Sequence, residues 1–224
     1  MNDVFSQAPK PSHRLIPSQF PPIGLFDRVA TAADLTAVME LVNWTNDRLV
    51  AERVARLPQS EWVFGRPNSS IVMAAFLHVA PEGMRFNGAD LGAWYASDDL
   101  RTAAAEVGHH MRRETVARGI PSMSRTYRVY SAILLGEYLD IRGQQQTRAD
   151  VYASDRYTAS QILGESVRAS GGAGILYDSV RRRSGVNVVA HRPRNIVEIT
   201  QTDHFEITVT AIARMIDVRR LSGA

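Results

Sequence analysis

Glu106 is the carboxylate around which a chemical reading of this chain can be built. At helical spacing Thr102, Glu106, His109 and Arg113 share one face. A glutamate there can stabilise positive charge on a substrate or hold a hydroxyl, although a lone helical glutamate more often belongs to a solvated face. His109 and His110 point about 100° apart on a helix and make a poor chelate for one ion. No HExxH or acid cluster accompanies them, so no metal site is expected. The run Ser170–Gly174 is glycine-rich, but it precedes a strand. Phosphate-cradling loops follow a strand and open a helix, so a helix-ending turn is the reading here. Arg181, Arg182 and Arg183, with Arg192 and Arg194, form a basic group suited to phosphate or to the surface. No GxSxG places a serine on a nucleophile elbow.

Composition bounds the rest. The chain has 224 residues, 45% of them hydrophobic and 22% charged, enough for one domain with a substantial core. It has no cysteine, which excludes disulfides, thiolate nucleophiles and cysteine-based zinc sites. Lys10 is the sole lysine, so nearly all the positive charge is arginine, the better side chain for gripping phosphate with two prongs. A net charge of +3 without a recognition motif argues against direct nucleic-acid binding. The longest apolar stretch, 71–80, falls far short of the ~20 residues of a membrane span. Met1–Ser12 has no apolar signal core. The expectation is a soluble, cytoplasmic protein. Exposed tryptophans among Trp44, Trp62 and Trp94 would favour a homodimer.

The elements that must position these residues are of mixed type. Residues 1–25 hold five of the ten prolines and read as an extended arm, with 26–224 as the catalytic domain. Thr31-Ala-Ala-Asp34 reads as a capped helix start, with Leu35, Val38, Met39 and Val42 as the helix's apolar face. The apolar run 71–77 reads as a buried strand, and 93–96 as a short one. Asp98 or Ser97 is expected to cap a helix striped by Leu100, Ala103, Ala104, Val107 and Met111, with Gly119 just past its end. A central strand is predicted over 126–133 and a helix over 160–169, closed by Gly171-Gly172. Strands are predicted over 174–177, 187–191 and 205–211. Strands and helices without strict alternation give an α+β domain with a mixed central sheet and flanking helices.

Several stretches together resemble the RES domain family. They are Ser70-Ile-Val-Met-Ala-Ala-Phe76, Met84-Arg-Phe-Asn87, Gly92-Ala-Trp-Tyr-Ala96, Leu100-Arg-Thr-Ala-Ala-Ala-Glu106, Gly174-Ile-Leu-Tyr-Asp-Ser-Val-Arg181 and Asn187-Val-Val-Ala-His-Arg-Pro193. The similarity covers roughly residues 20 to 205. The arginine, glutamate and serine of the family's name fall on Arg85, Glu106 and Ser179, and its active-site tyrosine on Tyr95. Two departures stand out. Longer members carry Pro-Phe-Arg-Tyr where this chain has Ala75-Phe-Leu-His78, leaving no second arginine at that place, and His191 replaces the more common aromatic.

The resemblance implies a fold similar to ADP-ribosyltransferase toxins, with NAD as substrate rather than as a resident cofactor. It implies cleavage of the nicotinamide–ribose bond, with water or inorganic phosphate as acceptor. Alternatives are ADP-ribosylation of a protein, or an inactive NAD-binding homologue. It also implies a cognate antitoxin with an Xre-type DNA-binding domain. The residue types suit that chemistry. Glu106 would stabilise an oxocarbenium-like sugar and hold a ribose hydroxyl. Arg85 would grip the diphosphate. Tyr95 would offer a surface to the nicotinamide, and Ser179 a short hydroxyl, while Asn187 and Arg192 would join substrate binding.

Overall fold

The computed structural model describes residues 3–19, 26–31, 33–34, 53 and 55–221. Nine strands form one sheet: β1 (Phe5–Gln7), β2 (Ser12–Pro17), β3 (Trp94–Ser97), β4 (Ser122–Leu134), β5 (Glu137–Asp140), β6 (Gly174–Asp178), β7 (Val186–Ala190), β8 (Ile196–Thr210) and β9 (Ile216–Leu221). Three α-helices are described: α1 (Ser69–Leu77), α2 (Leu100–Ala117) and α3 (Thr158–Ala169). The sheet order is β1-β5-β6-β7-β3-β2-β4-β8-β9, with β5 and β6 parallel and all other pairs antiparallel. This is the expected α+β domain with a mixed sheet. Among the described residues no helix is long and apolar enough to cross a membrane.

Three expectations need correction. The run 71–77 is helix α1, not a strand. It is apolar all round, so neither period showed in its sequence, and it lies buried from Ser69 to Phe76 with Ala74 alone partly exposed. Residues 5–7 and 12–17, read as part of a separate arm, are strands of the sheet. β2 even lies in its interior, next to the central strand β3 and paired with β4 on its other side. Proline did not prevent this, since Pro17 closes β2 and Pro11 precedes it. Finally, the cap of α2 is Asp99, whose side chain accepts from Thr102 N at 2.7 Å, one residue beyond the expected Asp98. The helix expected to begin at Thr31 has its reciprocal cap, with Thr31 N and Oγ1 donating to Asp34 and Asp34 N donating to Thr31 Oγ1. Its apolar face lies outside the described residues.

Alternation along β3 sends successive side chains to opposite faces. Trp94 and Ala96 join the core that buries α1, with Phe76, Tyr138, Leu176 and Val188. Tyr95 instead packs on a second cluster beneath α3, made by Phe86, Ile175, Tyr177, Val189, Leu163 and Val167. A third cluster seats α2 on β4 and β8 through Ala104, Met111, Met123, Tyr127, Ile207 and Val209. A gap between α2 and the end of α1, with the turn before β3, opens over β2, β3 and β7.

Candidate active site

That gap is a cleft of about 280 Å³. Its lining includes Arg14 from β2, Arg85 from the turn before β3, Tyr95 from β3, Glu106 from α2, and Asn187 from β7. Tyr157, Tyr177, His13, His78 and His110 complete the polar and aromatic wall.

Glu106 lies on the second turn of α2, and its Oε1 accepts two hydrogen bonds, from Ser179 Oγ at 2.6 Å and from Asn187 Nδ2 at 2.7 Å. Each donor is itself fixed. Ser179 Oγ accepts the backbone N–H groups of Arg181 and Arg182, both at 3.1 Å, which leaves its proton for the carboxylate. Asn187 Oδ1 accepts from Ser97 Oγ at 2.7 Å, which orients the amide so that nitrogen faces Glu106. Asn187 is 2% exposed, and its register opposite Ser97 comes from the β3–β7 ladder. Hydrogen bonds to a carboxylate are stronger than those between neutral groups. Glu106 is thus held by one oxygen, and its Oε2 accepts from no described residue.

The loop that carries Ser179 is latched to the start of α2. Arg182 Nη1 donates to Asp99 Oδ2 and to Thr102 Oγ1, each at 2.8 Å. Gly185 closes the loop against Thr102, where a Cβ would come within 2.7 Å of Thr102 Oγ1. These contacts tie Ser179 and Glu106, 73 positions apart, to one small frame.

Arg85 is 8% exposed. Its Nη1 donates to the carbonyls of Val151, at 3.2 Å, and Ala153, at 2.9 Å, and its guanidinium lies 4.7 Å over the Tyr157 ring. The turn that carries it is pinned from two sides. Tyr95 Oη accepts Phe86 N and donates to Asn87 Oδ1, both at 2.8 Å. On the other side Gln161 donates to the carbonyls of Glu82 and Met84, and Gly164 lets α3 approach so closely that a Cβ would lie 2.0 Å from Phe86 O. Tyr95 therefore spends its hydroxyl on structure. Burial pushes its pKa up, which keeps it a neutral donor.

Arg14 went unnoticed in the sequence because it lies in the proline-rich arm. It supplies a second guanidinium to the cleft, which the sequence lacks at 75–78. Nη1 donates to Tyr95 O at 3.3 Å, and the guanidinium lies 4.8 Å from the Trp94 ring centre. Burial lowers its pKa to about 10, so it stays cationic at neutral pH. Tyr157 and Ser97 were also missed. Arg192, expected in substrate binding, is not at the cleft. It bonds Glu61 Oε1 at 2.9 Å and lines a separate, shallower depression with Gly171, Gly172 and Arg194. So the structure brings Arg85, Tyr95, Glu106, Ser179 and Asn187 together and places Arg192 elsewhere.

The chain is 28% identical over 202 residues to the uncharacterised protein y4oC of Sinorhizobium fredii (strain NBRC 101917 / NGR234), a match covering 86% of this chain and 80% of that protein. It is similar, at 13% identity and a TM-score of 0.48, to a chain in the crystal structure of the M. tuberculosis MbcT–MbcA toxin–antitoxin complex, covering 92% of this chain and 87% of the other. The RES domain model matches residues 53–210, more than half the chain and the whole stretch from Arg85 to Asn187. The chain belongs to the RES domain family.

Proposed function

We propose that this chain is an enzyme that cleaves NAD+ between nicotinamide and ribose, passing the ADP-ribose group to water or inorganic phosphate. The observation that carries the reading is a single cleft holding a carboxylate fixed at one oxygen, two guanidinium groups and a set of aromatic rings. Breaking the glycosidic bond leaves positive charge on the ribose, and Glu106 is the anion placed to stabilise it. Its Oε2 is available to a ribose hydroxyl, while Ser179 and Asn187 keep Oε1 in place. Arg14 and Arg85 supply charge and planar donors for the diphosphate. Tyr95, Tyr157 and Tyr177 offer flat surfaces to the planar nicotinamide.

Unchecked NAD+ loss harms the cell that makes such an enzyme. The reading therefore includes a toxin role and a cognate antitoxin, which the family resemblance gives an Xre-type DNA-binding domain. Acidic or carboxylate-ended segments that reach Arg14 and Arg85 would compete with the diphosphate. The test is incubation of the purified chain with NAD+, with and without inorganic phosphate, followed by product identification. Free nicotinamide with ADP-ribose or its 1″-phosphate supports the reading, and label retained on protein points to protein ADP-ribosylation. Intact NAD+ with folded protein counts against it.

A further inference from the structure

β9 ends the sheet order, and its outer edge pairs with no described residue. Asp217, Val218, Arg219 and Arg220 are exposed along it. The same corner concentrates exposed apolar side chains: Val116 at 57%, Ile212 at 97%, Met215 at 78% and Val218 at 42%. Arg112 fastens α2 to this hairpin by donating to the carbonyls of Thr210 and Met215, so Val116, one turn later, stands beside the hairpin tip. β9 also lies beyond the family match, which ends at residue 210. A free edge with its backbone groups open is a template for another strand.

We propose that this edge joins two copies of the chain, β9 against β9 and antiparallel, about a two-fold axis through Val218. The charge pattern selects both the occupant and the register. In an antiparallel pair, residues directly opposite each other share a face. For two identical strands about a two-fold axis, even-numbered residues must therefore meet even-numbered ones, and odd must meet odd. Three registers pair most of the strand. Centring on Asp217 sets Asp217 against Asp217, and centring on Arg219 sets Arg219 against Arg219. Centring on Val218 sets Val218 against itself, with Asp217 opposite Arg219 on both sides and Met215 opposite Leu221. Opposite charges facing across a ladder stabilise it and like charges destabilise it. The contact is isologous, so each favourable pair occurs twice.

The inference is independent of the reaction proposed for the cleft. Its test is the mass of the full chain in solution, by light scattering and sedimentation over a concentration series. Arg219 pairs within the chain with Glu206 at 2.8 Å, so the variants are made in a Glu206→Gln background. A dimer is expected there. Asp217→Arg faces arginine with arginine, and Arg219→Asp faces acid with acid. Each change should weaken self-association by about tenfold or more. The double exchange should restore it, because positions 217 and 219 still face each other. An equimolar mixture of the two single variants should form heterodimers, and circular dichroism verifies that each variant folds. Three results overturn the proposal. They are a monomer at all concentrations, as for an edge whose charges only repel added strands, a dimer indifferent to the single exchanges, and single-exchange losses that neither the double exchange nor mixing recovers.

Discussion

Ser179 and Glu106 meet through a hydrogen bond of 2.6 Å, in which the hydroxyl can only donate because two backbone N–H groups already occupy it as an acceptor. The serine thus acts on the carboxylate's position more directly than on a substrate. Asn187 completes the grip at 2.7 Å. The aim of Oε2 depends on both.

Glu106→Gln is expected to fold normally and to lose NAD+ cleavage by about 10²–10³-fold, the cost of losing one preorganised electrostatic contact to a charged transition state. The amide keeps an acceptor for Ser179 but has no charge to set against the ribose cation. Steady-state turnover of the folded variant is the measurement, and near-normal activity would remove Glu106 from the proposed role.

Ser179→Ala should lower kcat about tenfold, from the loss of a hydrogen bond to a charged group worth roughly 1.5 kcal/mol. It also leaves the N–H groups of Arg181 and Arg182 without their acceptor, so a lower melting temperature should accompany the kinetic loss. If Ser179 were instead an obligatory nucleophile, activity would vanish altogether.

Arg85→Lys should damage both binding and stability. Lysine keeps a charge but cannot reach the carbonyls of Val151 and Ala153 while lying flat on Tyr157. A rise in KM together with faster proteolysis of the 141–157 segment is expected. Unchanged NAD+ affinity would place the guanidinium in a purely structural role.

The sequence made some of this legible and hid the rest for identifiable reasons. The helix bearing Glu106 was readable because its stripe, from Leu100 to Met111, has the helical period, and Gly119 marks its end with φ of +66°. The strand carrying Tyr95 was readable from its aromatic character. α1 was not, because a run that is apolar at every position has no period. β5, β9 and the two N-terminal strands were missed because each is short or proline-flanked and its place depends on long-range pairing. Arg14 was lost with them. Arg192 was misplaced because Asn187, at the start of the same stretch, does line the cleft, whereas Val188, Val189 and Ala190 after it are buried in the core. The chain turns at Pro193, and Arg192 is drawn instead to the buried Glu61, which is 2% exposed.

Acid pH should destabilise the fold through its histidines. His191 is 1% exposed with neither ring nitrogen hydrogen-bonded, and burial, with Arg168 and Arg192 nearby, holds its pKa well below the ordinary 6.5. Burial, then Arg181, His110, Arg113 and Arg112, lowers His109 to about 4. Below pH 6.5 the unfolded chain takes up these protons before the folded one does. Stability therefore falls as pH drops from 6.5 toward the lowered folded values, and it levels off below them. Carboxylates act lower: the hydrogen bond from Arg142 holds Asp140 at about 2, so its contribution disappears only below the ordinary 3.8. Thermal melts across this range should show the decline, and His191→Phe should flatten it. A variant no less pH-sensitive than the parent would remove His191 as a cause.

Arg14, which the sequence reading passed over, and Arg192, which it misplaced, give the sharpest contrast. Arg14 lies in the cleft with its guanidinium over Trp94, whereas Arg192 lies outside it and neutralises Glu61 together with Arg194, whose Nε is 3.2 Å from Glu61 Oε1. Arg14→Gln should raise KM for NAD+ about tenfold or more through loss of a charged donor to the diphosphate, with a smaller change in kcat. Arg14→Lys should recover part of that loss, since charge returns without the planar fork. Arg192→Gln should leave KM unchanged. It should cost about 1–2 kcal/mol of stability, less than a fully orphaned buried carboxylate because Arg194 remains. For a chain of this size that is a drop in melting temperature of several degrees. Kinetics and thermal melts on the same preparations separate the two effects. A KM defect in Arg192→Gln without loss of stability would return Arg192 to the substrate site, and normal affinity in Arg14→Gln would leave Arg85 as the diphosphate's partner.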